Sequence, residues 1–364
     1  MRHTQFFHSS PGGGTEKATY HGLQVAMTRG CPYADNEPGL PSKAWPDPRD
    51  PMHKQIPGAA RTSIGRACLG LVLSLWPGPL TAQELEPRAY SVSPVKTNFV
   101  VLSNAYAWGD LTFDPSLPVE DGSANINTMV AGYFRSMNVL GRSSNFTLVV
   151  PYSSGTVQGV LAGEFTQVSR SGLRDPSVRF AVNLYGAPAM RLKEFASWNK
   201  KTVIGASVVV VAPLGQYDPA KLVNIGSNRW AFKPELGWSR RFGHWVLDAY
   251  GGVWLFTDNK TFYPGLRTRS QAPIISTQFH LSYNIRSRLW AGADANFYSG
   301  GRTSINGIPN QDLQKNSRLG GTVAIPFTRR QSFKFSYSRG AYTTIGADFH
   351  ALAFGWQYLW GPGM

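Results

Sequence analysis

The feature that most constrains this chain is a period of two that recurs along it. Over 331–338, Phe333, Phe335 and Tyr337 share one face, while Ser332, Lys334, Ser336 and Ser338 share the other. Over 279–285, Phe279, Leu281, Tyr283 and Ile285 oppose His280, Ser282 and Asn284. Over 232–239, Phe232, Pro234, Leu236 and Trp238 oppose Lys233, Glu235, Gly237 and Ser239. Over 289–298, Leu289, Ala291, Ala293, Ala295 and Phe297 oppose Gly292, Asp294 and Asn296, with Trp290 and Tyr298 closing the polar face at its two ends. Successive side chains of a strand point to opposite faces, so the pattern predicts an all-β chain.

Two all-β architectures bury one face of every strand: a soluble sandwich with apolar faces turned inward, and a membrane barrel with apolar faces turned to lipid. The apparent strands run to about 9–12 residues, the length that crosses a bilayer at a tilt, whereas soluble strands average about 5–6. Only 16% of the chain is charged, against roughly 25% in soluble domains. Trp108, Trp230, Trp245, Trp290, Tyr358 and Trp360 gather at strand ends, as an interfacial aromatic girdle requires. No run approaches the roughly 18 apolar residues of a spanning helix. The barrel is the expected fold.

Short turns fall near 242–244, 286–288 and 328–330, with a further one at 137–142. Long polar segments fall at 109–123, 214–229, 258–271, 300–316 and 339–348. Short periplasmic turns, longer outer loops and two periplasmic termini require an even strand number, and the count is about 12 in an antiparallel up-and-down transmembrane β-barrel. The stretch 157–170 reads either as two further strand pieces or as a loop folded inward. Up-down parity favours the loop, which makes 152–176 the candidate constriction. A barrel of this size lies between small side-chain-filled barrels and wide porins, so its bore is narrow or blocked.

Residues 1–51 hold turn formers without either period and are expected to be disordered or mis-assigned sequence preceding the true start. Lys54, Arg61 and Arg66 then precede an apolar stretch from Ala67 to Trp76, a Pro77-Gly78-Pro79 break and Ala82. That order is a secretory signal peptide over 52–82, with Gln83 as the mature start. The part from 83 onward has no cysteine and carries 28 Lys and Arg against 16 Asp and Glu. Such a balance suits nucleic acid, anionic lipid or anionic solutes. Export and the lack of a basic run argue against nucleic acid.

At the C-terminus, Leu352, Phe354, Trp356, Tyr358 and Trp360 alternate, and Gly355, Tyr358 and Trp360 are spaced Gly-x-x-aromatic-x-aromatic. This resembles the terminal-strand signal read by the barrel assembly machinery, although Ala353 and Leu359 stand where polar residues are usual. Further phrases occur in order: Phe113 to Asp121 (FDPSLPVED), Ser171 to Pro176 (SGLRDP), Ala212 to Tyr217 (APLGQY), Asn224 to Trp230 (NIGSNRW) and Lys233 to Gly237 (KPELG). From about 88 to 360 the chain thereby resembles the family described as "MetA-pathway of phenol degradation", outer-membrane transporters of Gram-negative bacteria. The resemblance implies a barrel with a transport role and fixes no substrate.

Beyond residue 83 there are three histidines, His244, His280 and His350, none within four residues of another, which gives no metal-ligand spacing. No phosphate-loop motif sits in a strand-to-helix setting, and neither a catalytic residue nor a cofactor is expected. A lipid hydrolase would need a Ser-His-acid group at one rim. The inward polar set is the candidate lumen lining: Arg179, Asn183, Lys233, Glu235, Asp248, His280, Asn284, Asp294, Asn296 and Lys334. These residues either pair across the lumen, because buried charge persists only when compensated, or line a solute path. The expectation is a passive outer-membrane channel for small, aromatic or hydrophobic compounds, embedded in outer-membrane lipid. The other reading is a structural or adhesin-like barrel with a filled lumen.

Overall fold

The computed structural model describes residues 85–110, 119–161, 163–345 and 348–362. The extension 1–51, the leader 52–82 and the middle of the loop 109–123 lie outside the described residues. In chain order the first elements are β1 (Asn98–Asp110), β2 (Val119–Val139), β3 (Arg142–Leu161), β4 (Glu164–Leu173) and β5 (Ser177–Tyr185). Then come α1 (Leu192–Ser197), β6 (Thr202–Val211), β7 (Ala231–Phe242), β8 (Trp245–Phe256), β9 (Asn259–Phe262) and β10 (Arg267–Gln271). The last are β11 (Ile274–Arg286), β12 (Leu289–Gly300), β13 (Thr303–Ile305), β14 (Ile308–Pro309), β15 (Gln314–Pro326), β16 (Gln331–Tyr342) and β17 (Phe349–Trp360).

Twelve of the strands form a closed antiparallel barrel. The ring runs β1, β2, β3, β5, β6, β7, β8, β11, β12, β15, β16, β17 and closes where β17 pairs with β1, from Asn98↔Trp360 to Gly109↔Phe349. Closure leaves no unpaired sheet edge, the condition for a sheet to sit in hydrocarbon. The inversion of faces is direct: Phe335 and Tyr337 are 43% and 41% exposed, whereas His280 and Asp294 are 1% and 3% exposed. The inward polar side chains of β11 and β12 are the hidden ones.

Asn98 and Trp360 meet at one end, which also carries the tight turns at 140–141, 243–244, 287–288 and 327–330. This turn end holds one longer connection, 186–201, containing α1. The loop end carries the other connections. Two of them, expected as irregular loops over 258–271 and 300–316, fold together as a small sheet in the order β14, β13, β10, β9.

The segment 152–176 is not an inward loop and does not form a constriction. The half of β3 near the turn end pairs with β5, from Ser144↔Val182 to Val149↔Ser177, and its far half pairs with β4, from Tyr152↔Leu173 to Leu161↔Glu164. Thus β4 and β5 are one returning leg, broken at Arg174-Asp175-Pro176, and parity is preserved. Prolines explain the break: neither Pro151 on β3 nor Pro176 opposite has an N–H to give to the ladder. Arg174 N–H instead donates to the Pro151 carbonyl at 2.9 Å.

Placing a charge on the outward face near mid-strand tests the inversion. Phe335→Arg is expected to destabilise the barrel by about 2–4 kcal/mol in chemical unfolding from lipid vesicles.

Candidate functional site: a lumen occupied at two levels

The first level is the chain itself. Residues preceding β1 enter at the turn end, where Ser136 N–H donates to the Thr97 carbonyl at 2.8 Å and Val95 N–H donates to the Met190 carbonyl at 2.8 Å. Helix α1 starts with Glu194 Oε2 accepting the Arg191 N–H at 2.7 Å. It turns Phe195 toward Val92, and these pack with Ala187, Met190 and Val203. From this anchor the segment rises into the barrel.

Tyr90 lies in a niche made by two neighbouring strands. A Cβ on Gly205 would sit 2.3 Å from Tyr90 Cδ1, and one on Gly237 would sit 2.0 Å from Tyr90 Cε2. The absent side chains are therefore the space the ring fills. Its hydroxyl donates to Glu235 Oε1 at 3.1 Å and lies 3.0 Å from Ser207 Oγ. The Arg179 guanidinium stacks over the ring at 4.9 Å and donates from Nη1 to the Ala89 carbonyl at 3.3 Å. Glu235 also receives Lys233 Nζ at 3.2 Å.

Arg88 spans the next part of the lumen. Its backbone N–H donates to Asp248 Oδ2 at 3.2 Å, Nε to Ser282 Oγ at 3.0 Å and Nη2 to Asn284 Oδ1 at 2.9 Å. The guanidinium covers the Trp290 ring at 4.3 Å. Glu86 N–H donates to Gln278 Oε1 at 3.0 Å. Beside it, His280 Nδ1 lies 2.7 Å from Asp294 Oδ1, and Thr322 Oγ1 donates to Asp294 Oδ2 at 2.7 Å. Each buried charge named here is met by opposite charge or by dipoles, as burial demands.

The second level lies toward the loop end and is apolar. Ala107 of β1 and Phe349 of β17 join Val209 and Val211 of β6, Ala231 of β7, Trp254 of β8, Ile274 of β11 and Tyr298 of β12 in one packed cluster. In the ring order β1 and β17 are separated from β6–β12 on both sides, so the cluster bridges the lumen as a septum. Cations stand at its margin: Arg229 over Phe256 at 4.4 Å, Lys233 over Trp254 at 5.2 Å and Arg318 over Phe349 at 3.9 Å. Arg229 lies in the β6–β7 loop, and burial, with Arg269 nearby, pulls its guanidinium down to about 9.

Above the septum, three of the motif phrases meet. Asp175 Oδ1 accepts the Gly215 N–H at 2.9 Å, and its Oδ2 accepts the Ser227 N–H at 2.7 Å and the Ser227 hydroxyl at 2.5 Å. Gln216 N–H donates to the Leu173 carbonyl and Gly226 N–H to the Gln216 carbonyl, both at 2.8 Å. Gly215 and Gly226 approach so closely that a Cβ on Gly226 would lie 2.7 Å from the Gly215 carbonyl carbon. Distant phrases thus tie the break after β4 to the β6–β7 loop.

Of the ten sequence candidates, the structure brings Arg179, Lys233 and Glu235 together around Tyr90, Asp248 and Asn284 around Arg88, and His280 with Asp294. Asn183 faces Gly205, Asn296 is buried on the inward face of β12, and Lys334 projects from β16 within the field of Asp294 and Glu86. Sequence reasoning missed the residues that organise these groups, Arg88 and Tyr90, together with the septum. The available signal was a pair of glycines, Gly205 and Gly237, on inward positions of adjacent strands. A hydrolase group does not assemble around His280, whose Nε2 lies 3.3 Å from Gln278 Oε1 while Ser282 receives Arg88.

Fold and lumen together define a transmembrane β-barrel of the outer-membrane type. Residues 97–348 match the family described as "Putative MetA-pathway of phenol degradation", and the chain belongs to that family. Among solved structures, an outer membrane channel from Pseudomonas putida superposes with a TM-score of 0.64 at 18% identity, covering 76% of this chain and 100% of that chain, a likeness of fold. The transport unit of the autotransporter AIDA-I from Escherichia coli gives 0.44 at 9% identity over 72% of this chain and 90% of that one, too low to carry an argument. No curated protein matches the sequence.

Because the niche is built from missing side chains, Gly237→Val should expel Tyr90 and free the segment. Limited trypsin digestion is expected to leave Arg88 uncut in the parent barrel and to cut after it in the variant.

Proposed function

We propose that this chain is an outer-membrane channel for the passive passage of small apolar or aromatic compounds, with its turn end facing the periplasm. The proposal includes export through a leader over 52–82 and insertion guided by Gly355, Tyr358 and Trp360 on β17. The septum is the observation that carries it. Trp254, Ile274, Tyr298 and Phe349 pack together across the lumen as apolar surface, and a hydrated ion that crosses such a layer must shed its shell. An apolar solute loses no such shell and exchanges side-chain contacts for its own. No covalent step or cofactor enters this mechanism.

The filled lower lumen favours a second reading, a structural or adhesin-like barrel that passes nothing. Uptake separates the two. Cells whose outer membrane excludes N-phenylnaphthylamine should gain fluorescence when the protein is present, and should lose that gain with Trp254→Arg at unchanged barrel abundance. Equal fluorescence with and without the protein would favour the structural reading.

Truncating the septum should also open it to ions. In planar bilayers Trp254→Ala and Phe349→Ala are each expected to raise single-channel conductance several-fold over the parent, whereas the outward Phe335→Ala leaves it unchanged.

A further inference from the structure

The positive charge of the sequence is concentrated on the barrel. At the turn end, three tight turns carry exposed arginines: Arg240 with Arg241, Arg286, and Arg329. The first turn is flanked by exposed Arg135 and Arg142, and the α1 connection exposes Lys193, Lys200 and Lys201. Every turn of this end therefore contributes, and because consecutive turns follow the ring, the cations encircle the rim.

Among the described residues of these turns the one carboxylate is Glu194, and it is engaged at the start of α1. The loop end differs in kind. Cations there are interspersed with Asp175, Asp218, Asp258, Asp312 and Asp348, and Lys221 Nζ lies 2.9 Å from Asp218 Oδ2. Cations gathered on one rim draw counter-charge to it.

Height identifies the counter-charge. Beside the cations, Phe242, Trp245, Tyr283 and Phe327 are exposed on the outward face. Aromatic side chains of this kind settle at the boundary between acyl chains and headgroups. The basic ring thus stands at the level of lipid phosphates and surrounds the barrel on all sides, as a leaflet does. A protein partner would be met by charge on one side or across the base.

We propose that the turn-end ring binds the phosphates of anionic phospholipids in the leaflet that borders it. The proposal rests on the reading of the turn end as periplasmic only for which leaflet is meant. Each arginine supplies a planar fork to a phosphate oxygen pair, and each lysine a point charge.

The test is lipid retention by the purified full barrel in detergent, read by native mass spectrometry with phosphatidylglycerol or phosphatidylcholine added. Phosphatidylglycerol should be retained in clear excess. Replacing Arg240, Arg241, Arg286 and Arg329 by Gln should reduce that excess roughly fivefold or more. Replacing the loop-end cations Lys260, Arg302, Lys315 and Arg339 by Gln should leave it intact. Should the arginine variant fail to fold, Lys193→Gln, Lys200→Gln and Lys201→Gln in the α1 connection provide the same comparison.

Equal retention of the two lipids would overturn the proposal, as would equal loss from turn-end and loop-end variants. Soluble anionic cell-wall fragments that bind the turn end while phosphatidylglycerol does not would assign the ring to the wall instead and also overturn it. Solute uptake is a separate readout: its failure with lipid retention intact would remove the channel reading and leave this one standing.

Discussion

The structure depends on closure of the ladder between β1 and β17. In hydrocarbon no water is available to an unpaired N–H or C=O, so an open sheet edge of twelve residues could not persist there. Once the ring is closed, every strand has one face toward acyl chains and one toward a confined interior. The apolar set goes outward because lipid accepts it at no cost. The polar set is left to satisfy itself in a small volume.

The lower lumen is the solution to that second problem. Glu235 has to balance Lys233 and Arg179 together, and Asp248 is buried on β8. The segment before β1 brings Arg88 to Asp248 and the Tyr90 hydroxyl to Glu235. Folding the chain into its own barrel thereby completes pairs that the wall strands leave open. The septum above needs no such help, since Trp254, Ile274 and Phe349 bury one another. The lumen is thus polar and occupied by the chain at one level and apolar at the next.

Strand placement was legible because period two survives on the lipid face, where Phe279, Leu281, Tyr283, Phe335 and Tyr337 are each selected by one solvent. The inward polar residues were legible by the same parity. Their partners were not. Nothing local to Pro87-Arg88-Ala89-Tyr90 marks a segment that folds inside a barrel, because its period is neither two nor 3.6 and its partners in the barrel wall lie about ninety or more residues away. The 152–176 stretch was misread for a related reason: a strand broken by Arg174-Asp175-Pro176 resembles a loop unless the facing Pro151 is known to lie beside it. The septum was not legible because Trp254, Tyr298 and Phe349 occupy positions where strand parity assigns the inside, and the expectation there was polar lining.

The long hairpin gives the barrel an uneven silhouette. β3 runs for 20 residues, which at about 3.3 Å per residue and the usual tilt rises roughly 50 Å, about twice the apolar band of such barrels. Its far half, paired with β2 on one side and β4 on the other, carries the wall beyond the point where the β3–β5 ladder ends at Val149↔Ser177. The loop-end rim of the barrel is therefore uneven in height.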